Sequence, residues 1–437
     1  MLTRTAEAIA TYGLAAFILT LPLEFTSVLF GQQLSRFVLV VVGLAFLYLL
    51  ASRRRCLAVP RMLSVYLLLA YIAASLVSWL VTHAPGSASS LLDIALYPIA
   101  GLLLANLALG QQDHRRAWIA FLVSASGVAL FGAFLYLSHL QIWTPNPAVA
   151  SRMNITFGDP NITARFLTLG ACVAVLFYAS RQGPTWLTVG AAIGCGLVIP
   201  VTFSRSGLIL FIVSVLVAAG FAFNRRRALA IAGVAVLAFT LSTAINPDTR
   251  QRAEDAAYTA VSVVMPPSAH HVATGGHQAE VAGDDNRRYL IAAGMKMAAD
   301  HPVFGVGFGG FQQALLTRYS YFLPAVYTDS VSHTSLVTVL AEQGIVGAVL
   351  MLAFLIQLAR EALAARARRD AWSLWATVPA TLIIPIFLYS QLEGRFFEEP
   401  YLWLALSMLY SAQMLARRHA ADLAERHGPK PAEAAAA

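Results

Sequence analysis

Residues 162–223 read ITARFLTLGACVAVLFYASRQGPTWLTVGAAIGCGLVIPVTFSRSGLILFIVSVLVAAGFAF. Three apolar runs, 162–179, 185–202 and 206–223, follow one another with only a few residues between them. A helix needs about 20 mostly apolar residues to cross a bilayer. The runs are too long for barrel strands and do not alternate, which excludes a closed β-barrel. The same pattern extends in both directions. Runs near 9–30, 34–51, 62–82, 90–109 and 117–138 come before, and 228–245, 334–358, 372–390 and 399–416 come after. The reading is an all-α polytopic membrane protein with about 12 transmembrane helices.

Composition agrees. Of 437 residues, 58% are hydrophobic and 12% charged; an ordinary soluble domain carries roughly 25% charged residues. Mean hydropathy is +0.67. These values exclude a cytosolic enzyme, a disordered chain and a nucleic-acid binder. Arg4 precedes the first run, as in a signal peptide. No small-residue cleavage site follows, so the run is read as the first span. Cys56, Cys172 and Cys195 have no metal-ligand spacing and form no disulfide framework.

The net charge of +8 is a topology signal. With a cytoplasmic N-terminus and alternating spans, the tight clusters Arg53-Arg54-Arg55, Arg115-Arg116, Arg225-Arg226-Arg227 and Arg368-Arg369 all fall on the cytoplasmic side. The positive-inside rule then puts both termini in the cytoplasm. The expected divisions are spans one to nine over 1–245, a periplasmic loop over 246–333, spans ten to twelve over 334–416, and a cytoplasmic tail over 417–437.

A structureless loop as long as 246–333 is unusual unless functional. It reads as a partly helical cap, with a helix-like run from Tyr289 to Ala299 and a mobile middle near 266–283. The basic residues on the far side are not needed for topology, and several sit at apolar helix ends, where charge is costly. Arg205 lies in the tight turn Thr202-Phe203-Ser204-Arg205-Ser206-Gly207. Arg287 and Arg288 open the loop helix, where two guanidiniums oppose the macrodipole and an anion would offset the cost. The run His301-Pro302-Val303-Phe304-Gly305-Val306-Gly307-Phe308-Gly309-Gly310-Phe311 follows no strand, so it is no nucleotide fingerprint. Its glycines permit close backbone packing against the membrane surface. His333 enters span ten within Ser332-His333-Thr334-Ser335.

No metal is expected. His270, His271, His277 and Glu280 fit no standard zinc spacing. Asp284 and Asp285 sit beside Arg287 and Arg288, which favours a local ion pair over Mg²⁺. Several guanidiniums with one His and no metal suit transfer from a diphosphate leaving group. Arg grips phosphate through two parallel hydrogen bonds and keeps its charge. A neutral His suits the acceptor hydroxyl as a base at pH 7. Neighbouring Arg charges would keep it neutral.

Four segments carry a resemblance to the O-antigen ligase and polymerase superfamily of bacterial membrane glycosyltransferases. They are Gly158-Asp159-Pro160-Asn161-Ile162-Thr163-Ala164-Arg165, Ser204-Arg205-Ser206-Gly207, the loop arginines with His301-Pro302 through Gly307, and His333-Thr334 with Gly344 and Gly347. Ligases of that superfamily typically show His then Asn, Ser or Gln, nine residues, Gly and a second small residue. This chain matches with Thr334 in place of the usual second residue, which leaves an O-antigen polymerase reading open. The resemblance implies a GT-C-like fold and a metal-independent, inverting transfer in the periplasm with no cofactor. O-antigen polysaccharide would pass from undecaprenyl diphosphate to a sugar hydroxyl of lipid A-core, at the inner membrane among its lipids. By the same resemblance His333 would be the base or the acceptor-positioning residue, and Arg205 with Arg287 or Arg288 would hold the diphosphate. Asn161, Arg165 and Ser204 would line the cavity. A flippase of lipid-linked glycan is the reading from another class; the absence of a repeat and the one-sided cluster speak against it.

Overall fold

The computed structural model describes residues 2–83, 88–144, 152–251, 253–254, 278–323, 332–394 and 396–427. All regular structure among them is helical. The first half comprises α1 (Leu2–Thr20), α2 (Thr26–Phe30), α3 (Leu34–Ala51), α4 (Leu63–Thr82), α5 (Ala88–Leu107), α6 (Gln111–Leu137) and α7 (Pro160–Ser180). Then come α8 (Thr185–Val198), α9 (Arg205–Phe221), α10 (Arg225–Ile245), α11 (Gln278–Asp300) and α12 (Phe311–Thr317). The chain closes with α13 (Ser335–Ala367), α14 (Ser373–Glu393) and α15 (Pro400–His427).

A helix covers each of the twelve apolar runs. Among the described residues, nine are long and apolar enough to cross a membrane, and Arg205–Phe221 is a shorter apolar helix. The other two fall short for a visible reason. Arg4 and Glu7 dilute α1, and the second half of α15 is charged. The chain is a multi-pass membrane protein.

Helix α7 is the centre. Of its apolar window 89% is buried inside the protein, against 28% for α3 and α4. It packs on α6, α8, α9, α10 and α14. Large apolar side chains on the outer helices stay exposed, among them Val40 and Leu44 of α3 and Leu69 and Leu80 of α4. Such faces suit contact with lipid.

The chain between α10 and α13 adds a second, smaller core. Leu290, Ala293 and Met297 of α11 bury against Val306, Phe311, Ala314, Leu315, Tyr319 and Ala341. Gly294 makes the close approach possible, since a Cβ there would lie 2.5 Å from Val337 Cγ1. Helix α11 starts at Gln278, well before the expected Tyr289. The early residues Gln278-Ala279-Glu280-Val281-Ala282 include good helix formers, which carry the helix upstream. Arg287 and Arg288 therefore lie inside the helix, and the expected opposition to its macrodipole does not arise. Residues 255–277, including most of the segment expected to be mobile, lie outside the described residues.

Candidate functional site

Two helix starts are built side by side. Asp159 caps α7: its carboxylate accepts the Asn161 amide at 2.6 Å, with Pro160 in the first turn. Phe203 takes a left-handed turn (φ 51°) after the short 3-10 segment Pro200–Thr202. Ser204 then caps α9 by accepting from the Gly207 amide at 3.1 Å. A Cβ at Gly207 would stand 2.6 Å from the Ala164 Cβ, so this glycine brings α9 against α7. The two starts then share hydrogen bonds. Ser204 Oγ donates to Asn161 Oδ1 at 2.7 Å, and Arg152 Nη2 donates to the same oxygen at 2.9 Å.

The same network runs on into the end of α14. Ser204 and Ser206 hydroxyls lie 3.0 Å apart, and Ser206 Oγ donates to Glu393 Oε1 at 3.2 Å. Glu393 Oε2 is 3.0 Å from Arg165 Nη1, and Glu399 Oε2 is 2.5 Å from Arg165 Nη2. Arg165 is only 1% exposed. A guanidinium at that depth is very costly unless paired, and two carboxylates supply the opposite charge. The pair of acids ties α7 to α14 and to the start of α15.

His333 is joined to this cluster by backbone contact. Gly394 ends α14 in the left-handed region (φ 77°), and a Cβ there would fall 2.1 Å from the Ser332 carbonyl oxygen and 3.3 Å from the His333 Cα. Ser335 Oγ lies 2.9 Å from Ser390 Oγ and accepts from Gln391 Nε2 at 2.6 Å. The start of α13 is thus pinned to the end of α14, next to Glu393. His333 is half-buried there.

Below that point α13 is broken. Gly344 has φ 61° and ψ −156° within the helix. The glycine run enters the break. Val306 N donates to the Ala341 carbonyl at 2.9 Å, Gly307 N to the Glu342 carbonyl at 3.0 Å, and Ile345 N to the Pro302 carbonyl at 2.8 Å. The Glu342 carboxylate accepts from the Gly309 and Phe311 amides at 2.9 and 3.1 Å. Ser78 Oγ of α4 donates to the carbonyls of Phe304 and Glu342, both at 2.8 Å. The glycines do permit close backbone packing, but against a broken span rather than against the membrane surface.

The predicted residues fall in three groups. Asn161, Arg165 and Ser204 belong to one network, with Arg205 as the first, half-buried residue of α9 and His333 across Gly394. Arg165 is enclosed by its two acids rather than lining open space. Arg288 is exposed on α11, two residues before the buried Leu290; the Arg287 side chain lies outside the described residues. The same holds for His270, His271, His277 and the side chains of Glu280, Asp284 and Asp285. Among the described residues, no three or more His, Cys, Asp or Glu gather as a metal site.

Sequence reasoning missed Arg152, Glu393, Glu399 and Glu342. Glu393 and Glu399 carry the signal that singled out Arg205: acids at the ends of apolar helices, in Gln391-Leu392-Glu393-Gly394 and Glu398-Glu399-Pro400.

A comparison with curated proteins finds no match. Residues 190–352 match the family model described as O-antigen ligase. That stretch holds Arg205, Arg287, Arg288, His333, Gly344 and Gly347, and so both the α9 start and the broken span. Over this region the chain is similar to the O-antigen ligase family.

Proposed function

We propose that this protein is an O-antigen ligase. It moves O-antigen polysaccharide from undecaprenyl diphosphate to a sugar hydroxyl of lipid A-core, on the periplasmic face of the inner membrane and with both termini in the cytoplasm. The observation that carries the reading is the joining of the α9 start to the α13 start. Ser204-Arg205-Ser206 reaches Glu393, and Gly394 beside it packs on Ser332-His333. One end of the bundle thereby gathers an arginine and a histidine from within the matched region.

The chemistry follows from those groups. The acceptor hydroxyl oxygen attacks the anomeric carbon from the face opposite the diphosphate. His333 takes the hydroxyl proton as the bond forms. The bond from the anomeric carbon to the diphosphate oxygen breaks, and configuration inverts. The leaving diphosphate keeps the electron pair, and Arg205 with Arg287 or Arg288 neutralises its charge. No metal or other cofactor takes part in this scheme.

A second reading rests on Thr334, which departs from the ligase pattern: an O-antigen polymerase that extends the lipid-linked chain. A lipopolysaccharide gel from a strain lacking this protein, with a probe for undecaprenyl-linked glycan, separates the two. Bare lipid A-core with polymer accumulating on the carrier supports the ligase. Lipid A-core bearing a single repeat unit means polymerase. Polymer still attached to lipid A-core, with normal carrier levels, overturns both.

A further inference from the structure

Beside the broken span lies a cavity of about 450 Å³, lined by Val81 and Thr82 of α4, Asp300 at the end of α11, the loop His301 to Val306, and Arg318. This volume is within the range of small-molecule sites. None of its lining residues belongs to the network around Asn161, Arg165 and Glu393.

Its walls are of two kinds. Val81, Pro302, Val303, Phe304 and Val306 offer apolar surface, and Thr82, Asp300, His301 and Arg318 offer polar groups. The CH face of a sugar ring matches the first and its hydroxyls the second. Charge narrows the choice. Asp300 is already engaged: its carboxylate is 2.5 Å from Lys296 Nζ and accepts from the Tyr319 hydroxyl at 3.0 Å. The bond from Lys296 holds the Asp300 carboxyl below the ordinary carboxylate range, so it stays ionised at neutral pH and offsets that ammonium. The Arg318 guanidinium remains, always charged and with its donors in a fork that fits a phosphate or carboxylate. His301 adds ring nitrogens that can donate.

The site is held in place before any ligand arrives. The loop 302–307 is hydrogen-bonded to α13 at Ala341, Glu342 and Ile345 and to α4 through Ser78. A preformed wall lowers the ordering cost of binding. Helix α13 also relates the cavity to His333. From Ser335 to Glu342 is seven residues, or about 10 Å along a helix. The cavity opens beside α4, whereas His333 sits against the end of α14.

We infer that this cavity is a binding subsite for an anionic saccharide, a sugar carrying phosphate or carboxylate, gripped by Arg318 and His301 over the apolar wall. The inference deepens the proposed function and rests on it for one step. With the donor diphosphate at Arg205, the charged sugar held here belongs to the acceptor glycan, reaching His333 from the α4 side.

Saturation-transfer NMR on the full chain in nanodiscs tests this with four probes: glucose 1-phosphate, glucuronate, glucose and inorganic phosphate. The expected result is binding of an anionic sugar, with glucose and phosphate at least about tenfold weaker. Whether glucose 1-phosphate or glucuronate binds more tightly identifies the anion. Arg318→Gln, an exposed position whose change leaves the fold intact, should weaken that binding by about tenfold or more. In a transfer assay it should raise the acceptor KM and leave kcat near wild type. Equal binding by Arg318→Gln and wild type, or binding of phosphate alone as tight as of the sugar phosphate, overturns the subsite; so does no binding of either anionic sugar. His333→Ala keeps the two readings apart, because it removes transfer and leaves probe binding unchanged. Should the deletion strain show no ligase phenotype while Arg318-dependent binding persists, the subsite stands and its assignment to a ligase acceptor falls.

Discussion

At the scale of single residues, His333 and Arg205 carry the sharpest consequences. His333→Ala should lower transfer by about 10²- to 10⁴-fold, the usual worth of a general base. Expression and membrane insertion should be unchanged, because the backbone of Ser332 and His333 that packs on Gly394 is kept in the variant. Single-turnover transfer on purified protein measures this, and near-normal rates would remove His333 from the chemistry. Arg205→Lys keeps the charge but not the parallel donors. A lost charge-assisted hydrogen bond of about 1.5–3 kcal/mol predicts roughly ten- to hundred-fold slower transfer. Wild-type rates there would make Arg205 a helix-end anchor. Both candidates stand out in the sequence because a charged or titratable group at an apolar helix end is conspicuous in a one-dimensional pattern. Arg165 was legible as a residue but not as a pair. Its partners Glu393 and Glu399 lie more than two hundred positions away, and no spacing rule relates α7 to the end of α14.

Elements show a different balance. Apolar run length alone placed a helix in each of the twelve runs, since an apolar helix of that kind is specified by local composition. The break in α13 was not visible in that pattern. Gly344 sits in a run that satisfies hydropathy on both sides, and its backbone turns only because the loop from Pro302 to Gly307 supplies replacement hydrogen bonds. The loop helix was also drawn too short, because residues 278–288 have helix-forming composition without a strong apolar period. Gly344→Ala tests the break. Its Cβ would fall 2.5 Å from the Val303 carbonyl and 2.6 Å from the Pro302 carbonyl oxygen, at φ 61°. Strain of this kind costs about 1–3 kcal/mol before any clash is counted. The variant should unfold at a lower temperature in nanodiscs. Gly233→Ala in α10, with nothing within 4 Å of the added Cβ, is the matched control, and there the change should stay within about 1 kcal/mol. Equal melting of the two variants would show that the loop does not depend on the break.

Over the whole molecule, one buried cation decides how the helix ends are held. Arg165 sits in the most enclosed helix, and its two carboxylates arrive from the end of α14 and the start of α15. The same Glu393 takes the Ser206 hydroxyl and stands beside Gly394, which packs on Ser332. The ends of α7, α9, α13, α14 and α15 therefore converge on this ion cluster. Arg165→Met removes the charge that pairs with two glutamates, and breaking a buried pair from one side costs about 3–5 kcal/mol. The expected outcome is a large drop in thermal stability, followed in nanodiscs by intrinsic fluorescence. Removing all three charges together, as Arg165→Met with Glu393→Gln and Glu399→Gln, leaves none of the three buried without its partner and should recover most of that loss. Transfer should stay impaired in the triple variant, because a neutral amide holds Ser206 and the His333 turn less firmly than a carboxylate. Recovery of both stability and transfer would make the cluster a fold anchor alone. A single Arg165→Met variant as stable as wild type would show that the helix ends are held by packing and not by this ion cluster.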